Sequence, residues 1–137
     1  MATNQQGSLA RYNTPQQTTF HRRRITPADA GKTVLVGIVP PNAVILKAMS
    51  AVNVSTVFNA GTANTIDIGI TGTANAFGSA LSLTAVGQPV LNGTASFLTP
   101  ANGQDTLIYA TVNLTGTAAT TGVADIVIVT VPANDLT

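Results

Sequence analysis

The 137-residue chain contains no cysteine, no tryptophan, no glutamate and only one histidine, His21. Without cysteine, neither a disulfide nor a thiolate metal site is open to it, and the fold must rest on its own core. Charge is scarce as well. Asp, Glu, Lys and Arg make up 8% of the residues, against about a quarter in ordinary soluble domains. From Ile68 to Gln104 there is no charged residue and no histidine. Thr, Ser, Asn and Gln must supply the polar surface there. Hydroxyls and amides that find partners cost far less to take out of water than unpaired ions do. Such a composition suits a chain that works packed against protein neighbours.

The same scarcity argues against catalysis. Acid–base chemistry needs ionisable groups paired in one pocket, and this chain offers five scattered Asp and one His in a basic tract. The run Asp29-Ala30-Gly31-Lys32-Thr33 resembles the tail of a phosphate-binding loop, but Thr26 stands where that motif needs glycine. Asp67 and Asp105 lie outside any Asp-x-Asp-x-Asp calcium spacing. The expectation is no enzyme activity, no cofactor and no metal. The first 30 residues carry no apolar stretch of signal-peptide type. The longest apolar run, Val34 to Leu46, is broken by Pro40 and Pro41, so no membrane partner is expected. Glycosylation-type triplets at Asn53, Asn92 and Asn113 are read as chance in so Thr-rich a chain.

What charge there is lies unevenly. All six basic residues (Arg11, Arg22, Arg23, Arg24, Lys32, Lys47) fall in the first 47 positions against Asp29 alone, a net +5. The remainder holds Asp67, Asp105, Asp125 and Asp135 and no base, a net −4. Complementary ends of this kind favour oriented association. The sharpest local feature is His21-Arg22-Arg23-Arg24. It admits three readings: phosphate contact with nucleic acid aided by stacking of Tyr12 and Phe20, salt bridges to acidic patches on a protein partner, or a solvated basic edge strand. With a whole-chain charge of +1 and no second basic cluster, the protein-partner reading is preferred and nucleic acid is not expected. The candidate interface residues are Arg11, Tyr12, Phe20, Arg22, Arg23 and Arg24.

Residues 1–17 are rich in Gln, Asn and Thr and show no period. From Thr18 the pattern turns to strands, expected at Thr18–Ile25, Lys32–Val39, Val44–Phe58, Thr65–Ile70, Val90–Leu98, Asp105–Leu114 and Val123–Val131. In Val44–Phe58 the even positions Val44, Leu46, Ala48, Val52 and Val54 form the inward row. Ala74–Val86 is ambiguous: Phe77, Ala80, Leu81 and Thr84 share a helical face, Leu81, Leu83 and Ala85 a strand face, and a short helix or turn is preferred. Val123–Val131 is apolar on both faces apart from Asp125 and Thr130, which places it inside a sandwich. Gly-Thr-Ala recurs at Gly61, Gly72, Gly93 and Gly116 and is read as turn punctuation. Seven or so strands so spaced indicate a sandwich, jelly roll or barrel.

Residues 36–87 resemble small virion proteins of tailed bacteriophages, of the capsid cement or decoration type. The likeness is carried by Pro-Pro-Asn-Ala-Val-Ile at 40–45, by Val57-Phe58-Asn59, by Gly61-Thr62-Ala63-Asn64-Thr65-Ile66-Asp67-Ile68-Gly69, and by Ala80-Leu81-Ser82-Leu83 with Val86-Gly87. The resemblance implies an all-β, jelly-roll-like antiparallel sandwich that forms a homo-oligomer, dimer or trimer. It implies a place on the outer capsid surface, reached from synthesis in the host cytoplasm, where such proteins clamp adjoining major capsid protein subunits. Composition, not the resemblance, makes residues 1–28 an expected extended basic arm, for which the family offers no clear counterpart, and 29–137 the sandwich. The alternative is a receptor- or glycan-binding β-module of a phage tail or fibre, for which the exposed aromatics are few.

Overall fold

The computed structural model describes residues 18–131. The apolar segment Val123–Val131 forms a strand that takes partners along both edges, as a sequence apolar on both faces requires. On one side lies Thr19–Ile25, antiparallel from Thr19 opposite Thr130 to Ile25 opposite Ala124. On the other lie Val44–Ile45 and Ala51–Thr56. Numbered along the chain, the strands are β1 (Thr19–Ile25), β2 (Thr33–Val39), β3 (Val44–Ile45), β4 (Ala51–Thr56), β5 (Ala63–Ile70), β6 (Thr73–Ser82), β7 (Thr106–Thr115) and β8 (Val123–Val131). They form two antiparallel sheets. Sheet A is β1-β8-β3, with β4 also pairing β8, and sheet B is β2-β7-β5-β6.

The two sheets enclose one core built from branched aliphatics. Ile25, Val39, Val52, Val54, Ile66, Ile68, Leu83, Leu91, Ile108, Val112, Ile126 and Ile128 are fully buried. Three aromatics join them: Phe58 and Phe77, both buried, and the partly buried Phe97, whose ring centroid lies 5.1 Å from that of Phe77. Counting β3 and β4 as one interrupted strand, the chain winds between the sheets in the order of a jelly roll, whose two Greek keys bring first and last strands together. This is the expected fold class. Among the described residues no helix is long and apolar enough to cross a membrane, a statement that does not bear on β-barrels.

The expected arm boundary at residue 28 needs correction. Thr19–Ile25 is a full partner of β8, so these residues belong to the sandwich; residues 1–17, with Arg11 and Tyr12, lie outside the described residues. Val44–Phe58 is also not one strand. A 3-10 turn at Lys47–Met49 divides it, and Ser50 takes over the ladder by donating from Oγ to the Leu46 carbonyl (2.9 Å) and accepting from the Val129 N–H (2.9 Å). The turn shifts the phase of the alternation. Ile45 rather than Val44 is buried before it, while Val52 and Val54 are buried after it as expected.

Ala74–Val86 is neither helix nor turn; most of it is β6. Between Ile66↔Leu81 and Ile68↔Gly78 the register slips by one residue. Ala80 sits in the slip at φ +47°. Its N–H is held by Asp67 Oδ1 (2.6 Å), whose Oδ2 accepts from Asn113 (2.8 Å). Such a bulge re-aims the following side chain, so Gly78 and Leu81, three apart, share the face of Ile66 and Ile68 and imitate a helical spacing.

Val90–Leu98 keeps a strand's alternation but makes no strand. Leu91, Gly93 and Thr99 are buried while Val90, Asn92, Thr94 and Leu98 are exposed. Its backbone bonds go to both sheets. Toward sheet A, the Phe97 carbonyl accepts from Ile45 N–H (2.6 Å) and Gly87 exchanges bonds with Val54 (2.8 and 3.1 Å); toward sheet B, the Gly93 N–H donates to Phe77 (2.8 Å) and the Ala95 N–H to Ala76 (3.2 Å). Asn92 adds two side-chain bonds to the Ser79 backbone (2.7 and 3.1 Å). Segment 87–99 therefore closes one side of the sandwich.

Of the four Gly-Thr-Ala triplets, only that at Gly72 (φ +85°) turns a hairpin, between β5 and β6. Those at Gly61 and Gly116 meet each other, with the Gly61 N–H donating to the Thr117 carbonyl (3.0 Å) and the Thr62 N–H to Thr115 (2.8 Å). At Gly93 an added Cβ would overlap the Ala76 carbonyl oxygen and the Phe77 backbone. Gly93→Ala is accordingly expected to lower stability by about 3 kcal/mol. Gly103→Ala, in open space at φ +72°, should cost about 1 kcal/mol. Urea unfolding of the two variants checks the order.

Candidate interaction surface

The register of sheet A lays its outward side chains in rows, because directly opposed residues share a face. One row is Val131, Val44 and Leu98. The next is Phe20 and Val129. Then come Arg22, Val127, Ala51 and Val90, and after them Arg24, Asp125 and Asn53. The face thus passes from apolar at one end to ionic at the other. A sheet face open to water ordinarily alternates to polar residues. This one exposes Phe20 at 67% and Met49 at 60%, together with Val44, Val90 and Leu98. Phe20, Met49, Val127 and Val129 line a shallow hollow whose rim is Thr18 and Thr19.

The outer face of sheet B is of another kind. It carries Thr33 and Thr111, joined hydroxyl to hydroxyl at 3.1 Å, the Asp67–Asn113 pair, and Tyr109 beside a shallow depression lined by Thr33, Thr71 and Thr111.

At the ionic end, Arg22 and Arg24 converge on one carboxylate. Arg24 donates from Nε to Asp125 Oδ1 and from Nη2 to Oδ2, each at 3.0 Å. Arg22 donates from Nε to Oδ1 at 3.2 Å and approaches Oδ2 with Nη2 at 3.1 Å. Residues two apart on a strand share a face, and the pairing sets Arg24 directly opposite Asp125. Asp125 is only 5% exposed. Its carboxyl is held below the ordinary carboxylate range, first by the Arg24 hydrogen bonds; burial works in the opposite direction, and the Arg22 bond and the two positive charges add to the lowering. The Arg24 guanidinium is correspondingly raised by the same bond.

The candidate residues therefore separate. Phe20, Arg22 and Arg24 share the outer face of β1. Arg23 alternates to the opposite face, where it is exposed, on the side of Ile25 and of His21, whose ring lies against Gly37 of β2. Arg22 and Arg24 were expected to pair with acidic groups of a partner; in the structure their first carboxylate comes from their own chain. Asp125 was noted in the sequence only as an interruption of an apolar strand. A charged residue in the middle of such a strand demands a counter-ion, and the only run of bases stood in the strand that pairs with it. Among the described residues no cluster of three or more His, Asp, Glu or Cys is placed to hold a metal ion.

No family model and no curated protein matches this chain. A solved structure does: the chain is similar to one in the cyanophage Pam1 capsid asymmetric unit, with a TM-score of 0.52 and 18% identity over 85% of this chain and 84% of that one. At this identity the likeness establishes the fold.

Because the Asp125 pKa is lowered in the folded state, its contribution to stability is complete above the ordinary carboxylate pKa of about 4 and is lost as pH falls through the lowered folded value. The stability gap between the wild type and Asp125→Asn should stay level from about pH 5 to 8 and shrink below about pH 4. Arg24→Ala should cost more than Arg22→Ala, and the double substitution, which leaves the buried carboxylate without a cation, about 1–3 kcal/mol. Denaturant titrations across pH check both statements.

Proposed function

We propose that this chain is a non-catalytic structural protein of a tailed-phage virion, which decorates the outer capsid surface and cements it by bridging major capsid protein subunits. One observation carries the reading: the outer face of sheet A, where an alternating strand should present polar side chains to water, exposes Phe20, Met49, Val44, Val90 and Leu98 around the half-buried Val127 and the buried Val129. Contiguous exposed apolar surface of this kind marks a protein contact. The shared fold with a chain of a phage capsid asymmetric unit supports the setting, and so does the ion-free stretch between Ile68 and Gln104. The outer face of sheet B carries hydroxyls and amides, those of Thr33, Thr111 and Asn113 among them, which suit packing between sister copies in a homo-oligomer.

Mechanically, such a protein adds its binding free energy to the assembled shell and not to free subunits. At a free concentration about a thousandfold above Kd, each occupied site contributes about 4 kcal/mol. Over many sites this opposes the pressure of packaged DNA. Heads lacking the chain should release their DNA at a lower temperature and regain wild-type resistance when purified protein is added back. Equal heat resistance of bare and decorated heads would reject the cementing role, and a handful of copies at the tail in images of labelled particles would reject the location.

A further inference from the structure

A guanidinium carries five N–H donors in a planar fork. Arg22 and Arg24 each turn the Nε/Nη2 edge to Asp125, which leaves the Nη1/Nη2 edge of each on the far side. Their side chains are 53% and 58% exposed, so those outer edges face solvent. Two cations on one anion leave the cluster positive. Asp125 has also fixed the two side chains in place, removing much of the rotamer freedom that an arginine would otherwise lose on binding. Val127, directly opposite Arg22, joins this fixed pair to the hollow of Phe20, Met49 and Val129.

We propose that this junction is a receptor for an acidic–apolar segment of a partner protein. A carboxylate of the partner accepts from the outer edges of Arg22 and Arg24, and a neighbouring apolar side chain covers the Phe20–Met49–Val127 hollow. The inference deepens the decoration reading by giving the chemistry of the partner, and rests on it only for that partner being a shell protein. Charge and apolarity together select this occupant. A nucleic-acid track needs a succession of cations along the phosphates, whereas the surface beside the pair is aliphatic. A second copy is a poor complement. Asp29 is bound to the Thr26 N–H (3.0 Å), Asp67 to Ala80 and Asn113, and Asp125 is buried. Among the described residues that leaves Asp105, whose immediate neighbours Gln104 and Thr106 are polar.

The test is an NMR titration of the full isotope-labelled chain, following the Phe20 signals and the Nε–H signals of Arg22 and Arg24. The probes are the peptide acetyl-Leu-Glu-Leu-Glu-Leu-amide, its Gln-for-Glu counterpart and oligothymidylate. The Glu peptide should move all three sets of signals and bind about tenfold more tightly than the Gln peptide. Arg22→Lys with Arg24→Lys should weaken that preference while the Phe20 shift persists, because lysine keeps the charge and loses the fork. Equal binding of the two peptides, no binding of either, stronger binding of oligothymidylate, or the same shifts on raising protein concentration alone would each overturn the proposal. Failure of the chain to bind bare heads, with the peptide preference intact, would instead reject the decoration reading.

Discussion

Sheet A exists because of β8. Every other strand in that sheet pairs with it and none of them with each other except through segment 87–99. Ala124, Ile126 and Ile128 point into the core and are fully buried, while Val127, Val129 and Val131 point out. One constraint follows from this sequence. A strand apolar on both faces must be covered on both, and the fold covers only the inner one completely. The hollow between Phe20 and Met49 and the exposed Val44 and Leu98 are consequences of how much of the outer face remains. Asp125 fits the same constraint, since a carboxylate in such a strand is tolerable only under a roof of cations, and β1 provides two.

Elsewhere the chain solves polarity without ions. Asn59 accepts from the Thr120 and Thr121 N–H groups (2.8 and 3.0 Å) and donates to the Thr120 hydroxyl (2.9 Å). Asn64 makes a matched pair of bonds with the Ala60 backbone (2.7 and 2.9 Å), and Asn92 does the same with Ser79. Each amide stands where a strand or loop would otherwise leave backbone groups unpaired, and each such group left buried would cost about 1–3 kcal/mol. The asparagines that look like glycosylation acceptors, Asn92 and Asn113, are thus engaged inside the molecule.

The clean alternations were legible. Ile66 and Ile68 on β5 and the two-faced apolar run of β8 fell where their period put them, and together they specified a sandwich. What failed did so wherever one residue disturbed the count. The turn at Lys47–Met49 reversed the phase of a strand that read as continuous, and the bulge at Ala80 gave β6 the spacing of a helix. Neither leaves a local signal as strong as a glycine or proline, because Ser50 and Asp67 hold these irregularities through bonds to residues distant in sequence. Val90–Leu98 shows the converse. Its alternation was real, but a period records which side chains are buried, not where backbone bonds go. At the interface, the run Arg22–Arg24 was visible and its partner was not, since finding Asp125 required the pairing of the first strand with the last.

Segment 87–99, by dividing its bonds between the two sheets, makes the sandwich mechanically lopsided. Along that flank the layers are stitched backbone to backbone. Along the β1/β2 flank they are joined by the short corner at residues 26–32 and by side-chain contacts such as His21 on Gly37. The domain is thus built like a book bound along one spine. A pull on β1 strains the loose flank first, while the bound flank keeps the two covers in register and lets the loose one close again.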